Sequence, residues 1–340
     1  MSLARFRTFA PSMEMSIALT SDGRAAAELR TAGVPVTILG GARISRPLMV
    51  RRARRALASL LRSQRPDVVV CHQPWPLALF GPVVKRHSIA LVLWMHMAAG
   101  RTWLDRLAWR VSPRTVVCNS RFTASTLPRS RARVEVVYAP MDAGTAASPR
   151  PPSSNGHAII IQVSRMEPLK GHAVLLRALA HLRDRTGWRC RLAGGAQRAH
   201  EARYMESLRA EAVALGIADR VEFLGDRTDI PRLLEGADIY CQPNVEPEAF
   251  GLSLIEAMAA GLPVVTSALG GAREIVDSTC GLLVAPRDSS ELAFELSALL
   301  EDRRRREALG ANGPARARFL CDPAAQMARI ADILQRAAAN

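Results

Sequence analysis

The chain has 340 residues, 49% hydrophobic and 23% charged, enough to bury two sizeable cores and unlike a disordered or fibrous protein. No run of eighteen apolar residues occurs, so no membrane-spanning helix is expected, and charges and Pro11 interrupt MSLARFRTFAPSMEMSIALTS before a signal-peptide core forms. The formal net charge of +15 sits in one half: residues 1–150 hold 23 Lys+Arg against 7 Asp+Glu, residues 151–340 hold 23 against 24. So basic a half suggests nucleic acid, yet no stacking aromatics interleave the cations and no nucleic-acid motif appears, so no nucleic-acid partner is expected. A basic face toward anionic lipid, toward a phosphate-bearing partner, or a plain arginine-rich composition all fit, Lys85 and Lys170 being the only lysines. Cys71, Cys118, Cys190, Cys241, Cys280 and Cys321 are dispersed with no C-x-x-C, which predicts buried thiols in a reducing cytoplasm and no zinc site.

Strand-like and helix-like segments alternate through the first half, the pattern of a parallel sheet with helices on both faces. Strands are expected at Met15–Leu19, Val34–Leu39, Asp67–Cys71, Ala90–Trp94, Thr115–Cys118 and Val134–Val137. Pro47–Gln64 forms a basic amphipathic helix carrying Leu48, Arg51, Arg52, Arg55, Leu57, Leu60 and Leu61, suited either to packing with a solvated basic face or to lying on an anionic membrane. Ligands of open α/β sheets bind at strand C-termini. His72, His96 and Asn119-Ser120 fall there.

Tyr138–Gly156, rich in Pro, Ser, Ala and Gly, reads as a linker. The second half opens with strand His157–Val163 and a turn bracketed by Arg165 and Lys170. Strand Cys190–Ala193 follows, with Gly194-Gly195 after it as a weak ligand-approach signal. Next come helix Glu201–Leu215, strand Val221–Leu224, a short helix at Ile230–Leu234 and strand Ile239–Cys241. EPEAFGLSLIEAMAAGLPVVTS, residues 246–267, then reads as loop, helix and strand, with Phe250, Leu254, Ala257 and Met258 on one helical face. Gly261 and Pro263 stop the helix. Glu248 and Glu256 lie a little over two turns apart, on one side. Between them the N–H groups of Phe250, Gly251 and Leu252 open a helix N-terminus, where aimed donors and the helix dipole attract phosphate. A diphosphate flanked by two groups that accept hydrogen bonds from hydroxyls is the outline of a nucleotide-sugar. The segment ALGGAREIV adds Gly270 and Gly271, CGLLVAP gives the last strand, and Glu291–Leu300 and Ala324–Ala338 are amphipathic helices.

These strings resemble the retaining glycosyltransferases of family 4, over essentially residues 14–338. The resemblance implies an α/β architecture of the GT-B kind, two Rossmann-like doubly wound domains facing a cleft. Domains are expected at 1–140 (acceptor side, basic), 141–156 (linker), 157–320 (nucleotide-sugar binding) and 321–340 (a helix crossing back to the first domain). The N-terminal domain is expected to be incomplete, since members open with a strand and glycine-rich loop and here Met15–Leu19 resembles the second strand. The resemblance further implies that Glu248 and His96 contact the transferred sugar, that Glu256 binds the ribose, and that Arg165 and Lys170 bind the donor diphosphate. The loop of Gly270 and Gly271 approaches the donor. His72 lines the cleft. The expected reaction is sugar transfer from a nucleotide-sugar to a hydroxyl of a glycan or lipid-linked acceptor, as in polysaccharide biosynthesis. Retention and a same-face path are implied. No D-x-D motif is present, so no metal and no cofactor beyond the donor substrate is expected. A cytoplasmic protein, with peripheral contact at the inner membrane face, fits the basic half. A sugar-nucleotide epimerase, a truncated inactive homologue and a binding protein are the alternatives. A Ser-His-Asp hydrolase finds no G-x-S-x-G elbow.

Overall fold

Runs of β-branched residues such as VVVCH and AIIIQV set the strands, since such side chains pack well on a pleated surface covered on both faces. The computed structural model describes residues 8, 10–11, 13–100, 102–141 and 156–339. The chain divides into two units, residues 1–141 with 323–340, and residues 142–322. The linker expected at 141–156 lies almost wholly outside the described residues, as does most of the opening segment.

The first unit runs β1 (Ile17–Leu19), α1 (Arg24–Thr31), β2 (Val36–Ile38), α2 (Pro47–Gln64), β3 (Val68–His72), α3 (Pro74–Arg86), β4 (Ala90–Met95), α4 (Trp103–Arg110), β5 (Thr115–Cys118), α5 (Arg121–Ser125) and β6 (Arg133–Val136). Every strand pairing is parallel. Among the described residues the strands form two hydrogen-bonded groups, β1-β2 and β3-β4-β5-β6, not one sheet. Helix starts follow capping chemistry. Pro47 opens α2, and Thr102 and Asp105 form a reciprocal capping box on α4, the Asp105 carboxylate accepting from the Thr102 N–H at 2.9 Å.

Helix α2 settles one expectation. Its Val50, Ala53, Leu57 and Leu61 are buried against α3 and the sheet, while Arg51, Arg52 and Arg55 face solvent. The apolar stripe thus belongs to the core, and Leu48, 70% exposed, is the one large apolar side chain that stays out. The helix is a packed helix with a basic outer face, not an amphipath free to bury its leucines in lipid.

The second unit runs β7 (Ala158–Val163), α6 (His172–Ala180), β8 (Trp188–Ala193), α7 (Ala199–Ala214), β9 (Val221–Gly225), α8 (Ile230–Glu235), β10 (Ile239–Gln242), α9 (Leu252–Ala259), β11 (Val264–Ser267), α10 (Ala272–Ile275), β12 (Gly281–Val284), α11 (Ser289–Glu301) and α12 (Arg303–Cys321). Its six strands form one parallel sheet in the order β12-β11-β10-β7-β8-β9. Numbered within the unit this is 3-2-1-4-5-6, the doubly wound dinucleotide-binding order. Trp188, Leu175, Leu176, Leu192 and Leu296 fill its core. The last helix, α13 (Pro323–Ala339), belongs to the first unit, where Met327, Ile330 and Ile333 pack on Val92, Trp94 and Val117. All six cysteines are buried free thiols, and burial pushes Cys71 and Cys118 up to about 12.

Candidate active site

In the second unit, strand order reverses between β7 and β10, and the crevice outside the carboxyl ends of such strands is where ligands bind. The loops leaving those two strands touch. The Val245 N–H donates to the Leu169 carbonyl at 2.9 Å, and a Cβ at Gly171, whose φ is +76°, would collide with the Pro243 carbonyl oxygen. Glycine is therefore required for the approach.

That approach brings together two expected residues 78 positions apart. Lys170, in a short 3-10 turn over Pro168–Lys170, sets its Nζ 2.7 Å from Glu248 Oε1. Their side chains are only 12% and 23% exposed. Breaking such a pair costs far more than breaking a surface bridge, because each charge would be left partly desolvated. The other carboxylate oxygen, Glu248 Oε2, accepts from Asn244 Nδ2 at 2.8 Å and Gln242 Nε2 at 3.1 Å. Arg165 lies after the same strand but is half exposed, and its guanidinium pairs with Glu167 at 2.6 Å.

The glycines hold this loop from the other side. Gly270 has φ +55°, and a Cβ on it would clash with the Glu248 carbonyl oxygen; the Gly271 N–H donates to that oxygen at 2.8 Å, and a Cβ at Gly271 would lie 2.6 Å from the Ala249 carbonyl oxygen. Gly270 and Gly271 thus seat the Glu248 backbone. Gly251 is the N-cap of α9, at φ +110°, so glycine is there for backbone conformation first. Phe250 is buried and Leu252 is exposed, and the Leu254 N–H closes the first turn of α9 on the Gly251 carbonyl at 3.1 Å. Glu256 lies on α9 with its side chain reaching solvent, and partial burial of its carboxyl raises its pKa.

His96 belongs to the first unit, at the end of β4, and it is not alone. His72 Nδ1 lies 2.8 Å from His96 Nε2, the two rings stacked with Trp94 beside them. The two imidazoles thus form one hydrogen-bonded pair. Burial, reinforced by His96, lowers His72 to about 4, and burial lowers His96 as well, so both stay neutral near pH 7. Asn119 Nδ2 donates to the His96 carbonyl at 3.1 Å, and Ser120 caps α5 by accepting from the Thr123 N–H. These last two are structural.

The sequence reading did not single out Gln242, Asn244, Ser253 or Glu167. The available signal was two amide side chains in CQPN, ending an otherwise apolar strand whose surroundings give a buried polar group reason to exist only if it is bonded.

Residues 146–316, half of the chain, match the model of the glycosyl transferases group 1, and residues 13–144 match that of glycosyltransferase family 4. The chain is 38% identical over 168 residues to a D-inositol 3-phosphate glycosyltransferase of Salinispora tropica, covering 47% of this chain and 34% of that protein. It is 28% identical over 268 residues to the GDP-mannose-dependent alpha-(1-6)-phosphatidylinositol monomannoside mannosyltransferase of Mycolicibacterium smegmatis, covering 70% of this chain and 68% of that one. Matches to the first three curated relatives span 34%, 40% and 42% of their lengths, less than half in each case. Among solved structures, Anabaena HepE in complex with UDP gives a TM-score of 0.86 at 24% identity, over 98% of this chain and 96% of that one. A Rickettsia africae glycosyltransferase gives 0.85 at 17% identity, over 99% and 93%. These likenesses establish the fold as GT-B. The switch-point sheet order and the two family models, which meet near the boundary between the units, lead to one conclusion: the chain belongs to the group 1 glycosyl transferases.

Proposed function

We propose that this protein transfers a sugar, with retention, from a nucleotide-sugar to a hydroxyl of a glycan or lipid-linked acceptor. The observation that carries the reading is the Lys170–Glu248 contact at the switch point, beside the N-terminus of α9. Lys170, Arg165 and the first-turn N–H groups supply the positive potential for a departing diphosphate. Glu248 orients the sugar hydroxyls, and Glu256, one helix face along, accepts from the ribose. Phe250, Gly251 and Leu252 bring backbone donors to the phosphates, and Gly270 and Gly271 hold the loop. No side chain stands assigned as a covalent nucleophile, so the acceptor attacks on the face the diphosphate leaves, with a diphosphate oxygen taking the acceptor proton. Cationic charge for the leaving group comes from side chains and not from a metal, and the donor is the sole small molecule required. The neutral His72–His96 pair offers ring nitrogens suited to hydrogen-bonding sugar hydroxyls. Names of the relatives support the donor class: HepE was solved with UDP, and the Mycolicibacterium enzyme is GDP-mannose-dependent.

The acceptor side is the basic first unit. Arg51, Arg52 and Arg55 on the outer face of α2, with exposed Leu48 at its start, support contact with an anionic surface at the cytoplasmic membrane face, by charge more than by insertion. No helix among the described residues is long and apolar enough to cross a membrane.

The test is transfer of radiolabel from UDP-glucose and GDP-mannose to total lipid and glycan fractions, with and without chelator. Labelled product of retained configuration that survives chelation is expected. Release of an altered sugar without acceptor, or activity lost to chelator and restored by a divalent metal, would overturn the reading.

A further inference from the structure

We propose that Gln242 is a positioning residue that fixes the carboxylate of Glu248, an inference that rests on the donor-site reading above. Gln242 ends β10 and is fully buried. Its amide oxygen accepts from Tyr240 Oη at 2.9 Å and Ser253 Oγ at 3.1 Å. Its amide nitrogen donates to Asn244 Oδ1 at 3.0 Å and Glu248 Oε2 at 3.1 Å. Both donor and both acceptor positions of the amide are thereby used. The two hydroxyls donate or accept equally well, so they do not decide which way the amide points. Glu248 does, because a carboxylate only accepts, and the same logic turns Asn244 to give its nitrogen to Glu248 and its oxygen to Gln242.

The consequence is a carboxylate gripped from behind by two amides and from the front by Lys170. The Tyr240 hydroxyl also reaches the Val163 carbonyl at 3.2 Å, and Ser253 lies in the first turn of α9. One buried amide thus ties β7, β10, the Glu248 loop and the phosphate-facing helix to a single orientation. A group held this way loses little freedom when it binds, which is what precise placement of a reacting sugar requires. The charged and titratable groups around this amide are Glu248 and Lys170, Glu256 on α9, and Tyr240, whose hydroxyl burial pushes well up. His172 on α6 stands behind Ser164 and Gln162, and Arg287, after β12, donates to the Val245 carbonyl.

The discriminating variant is Gln242→Glu, which keeps the length and replaces the amide by a carboxyl. Two carboxyls at this separation share one proton. At low pH the new group is protonated and donates to Glu248 as the amide did; at higher pH it ionises and repels. Its folded-state pKa is raised above the unfolded value, so its contribution to stability is present at low pH and lost as pH rises through the folded value. Between about pH 5.5 and about pH 8, turnover of Gln242→Glu with UDP-glucose or GDP-mannose should fall roughly 10- to 100-fold relative to the wild-type profile. Its melting temperature should fall over the same interval, and adding Glu248→Gln should flatten that fall. Gln242→Met, similar in size with no amide, should lower turnover about 10-fold at every pH while changing the donor's Michaelis constant less. The proposal is overturned if Gln242→Glu follows the wild-type profile in both turnover and melting, or if Gln242→Met turns over normally. If Gln242→Glu does not fold, Gln242→Met decides alone. A wild type that transfers no sugar, with the melting coupling to Glu248 intact, would overturn the donor-site reading and leave the positioning of Glu248 standing.

Discussion

The two units are built from the same βα repeat and finish it differently. Among the described residues the second closes six strands into one sheet with a single reversal of order, and the partly buried Lys170–Glu248 ion pair lies at that reversal. Among the described residues the first holds its strands in two groups, and the ends of β3 and β4 carry a stacked, neutral imidazole pair in place of an ion pair. The difference puts two kinds of polar chemistry on one architecture. A switch point lined with Lys170 and Arg165 suits an anion whose charge grows during reaction, whereas neutral hydrogen-bonding rings suit sugar hydroxyls. In the first unit Arg51, Arg52 and Arg55 lie on the outer face of α2.

The contrast is broken most sharply at Lys170. Lys170→Ala should lower turnover about 100- to 1000-fold and change the donor's Michaelis constant far less, because its attraction grows as the leaving group takes up charge. Lys170→Arg should restore only part, the planar guanidinium having a different geometry. Steady-state kinetics on saturating donor checks this, and a normal turnover number for Lys170→Ala would remove the second unit's claim to the leaving group. A smaller effect is expected at Glu256. Glu256→Ala should cost roughly 1.5–3 kcal/mol of donor affinity, about 10- to 100-fold, by removing a charged acceptor from the ribose; calorimetry with UDP and GDP reads it directly.

Acid sharpens the comparison further. His72 in the first unit and His172 in the second are each lowered to about 4 by burial, against an ordinary value near 6.5. Each is held neutral by the fold, so its stabilisation is complete above about pH 6.5 and is lost as pH falls through about 4. The denaturation midpoint should therefore decline across that window, and His72→Phe or His172→Phe should each shallow the decline. A midpoint independent of pH there would contradict both assignments. The smallest effect concerns the basic face: flotation with anionic over neutral vesicles should favour anionic lipid at low salt and lose the preference at moderate salt. Equal flotation would leave the arginines of α2 as composition alone.

Much of this was legible in the sequence. Alternation of β-branched runs with amphipathic segments gave the strands of both units, and α2 was read at the bounds it has, Pro47–Gln64, because a proline start and a helical period mark both ends. Helix α12 was not legible. GANGPA, residues 310–315, looks like a break, yet the helix runs through it. A Cβ at Gly310 would meet the Gly261 carbonyl and one at Gly313 would lie 2.6 Å from the Met258 carbonyl, so the glycines let α12 press against the end of α9. Tertiary contact overrode local propensity there. At the site, Lys170 and Glu248 are each legible in their own strings, but their contact is hidden by a separation of 78 positions. Gln242 was hidden more deeply, since nothing local distinguishes a buried amide that orients a carboxylate from one that ends a strand.

The most direct measurement is a crystal structure with UDP bound. The β-phosphate is expected within hydrogen-bond distance of Lys170 Nζ and facing the first turn of α9, the ribose hydroxyls on Glu256, and Glu248 still held by Gln242 and Asn244. A diphosphate seated away from Lys170, with the Lys170–Glu248 pair undisturbed and Glu256 in solvent, would contradict it.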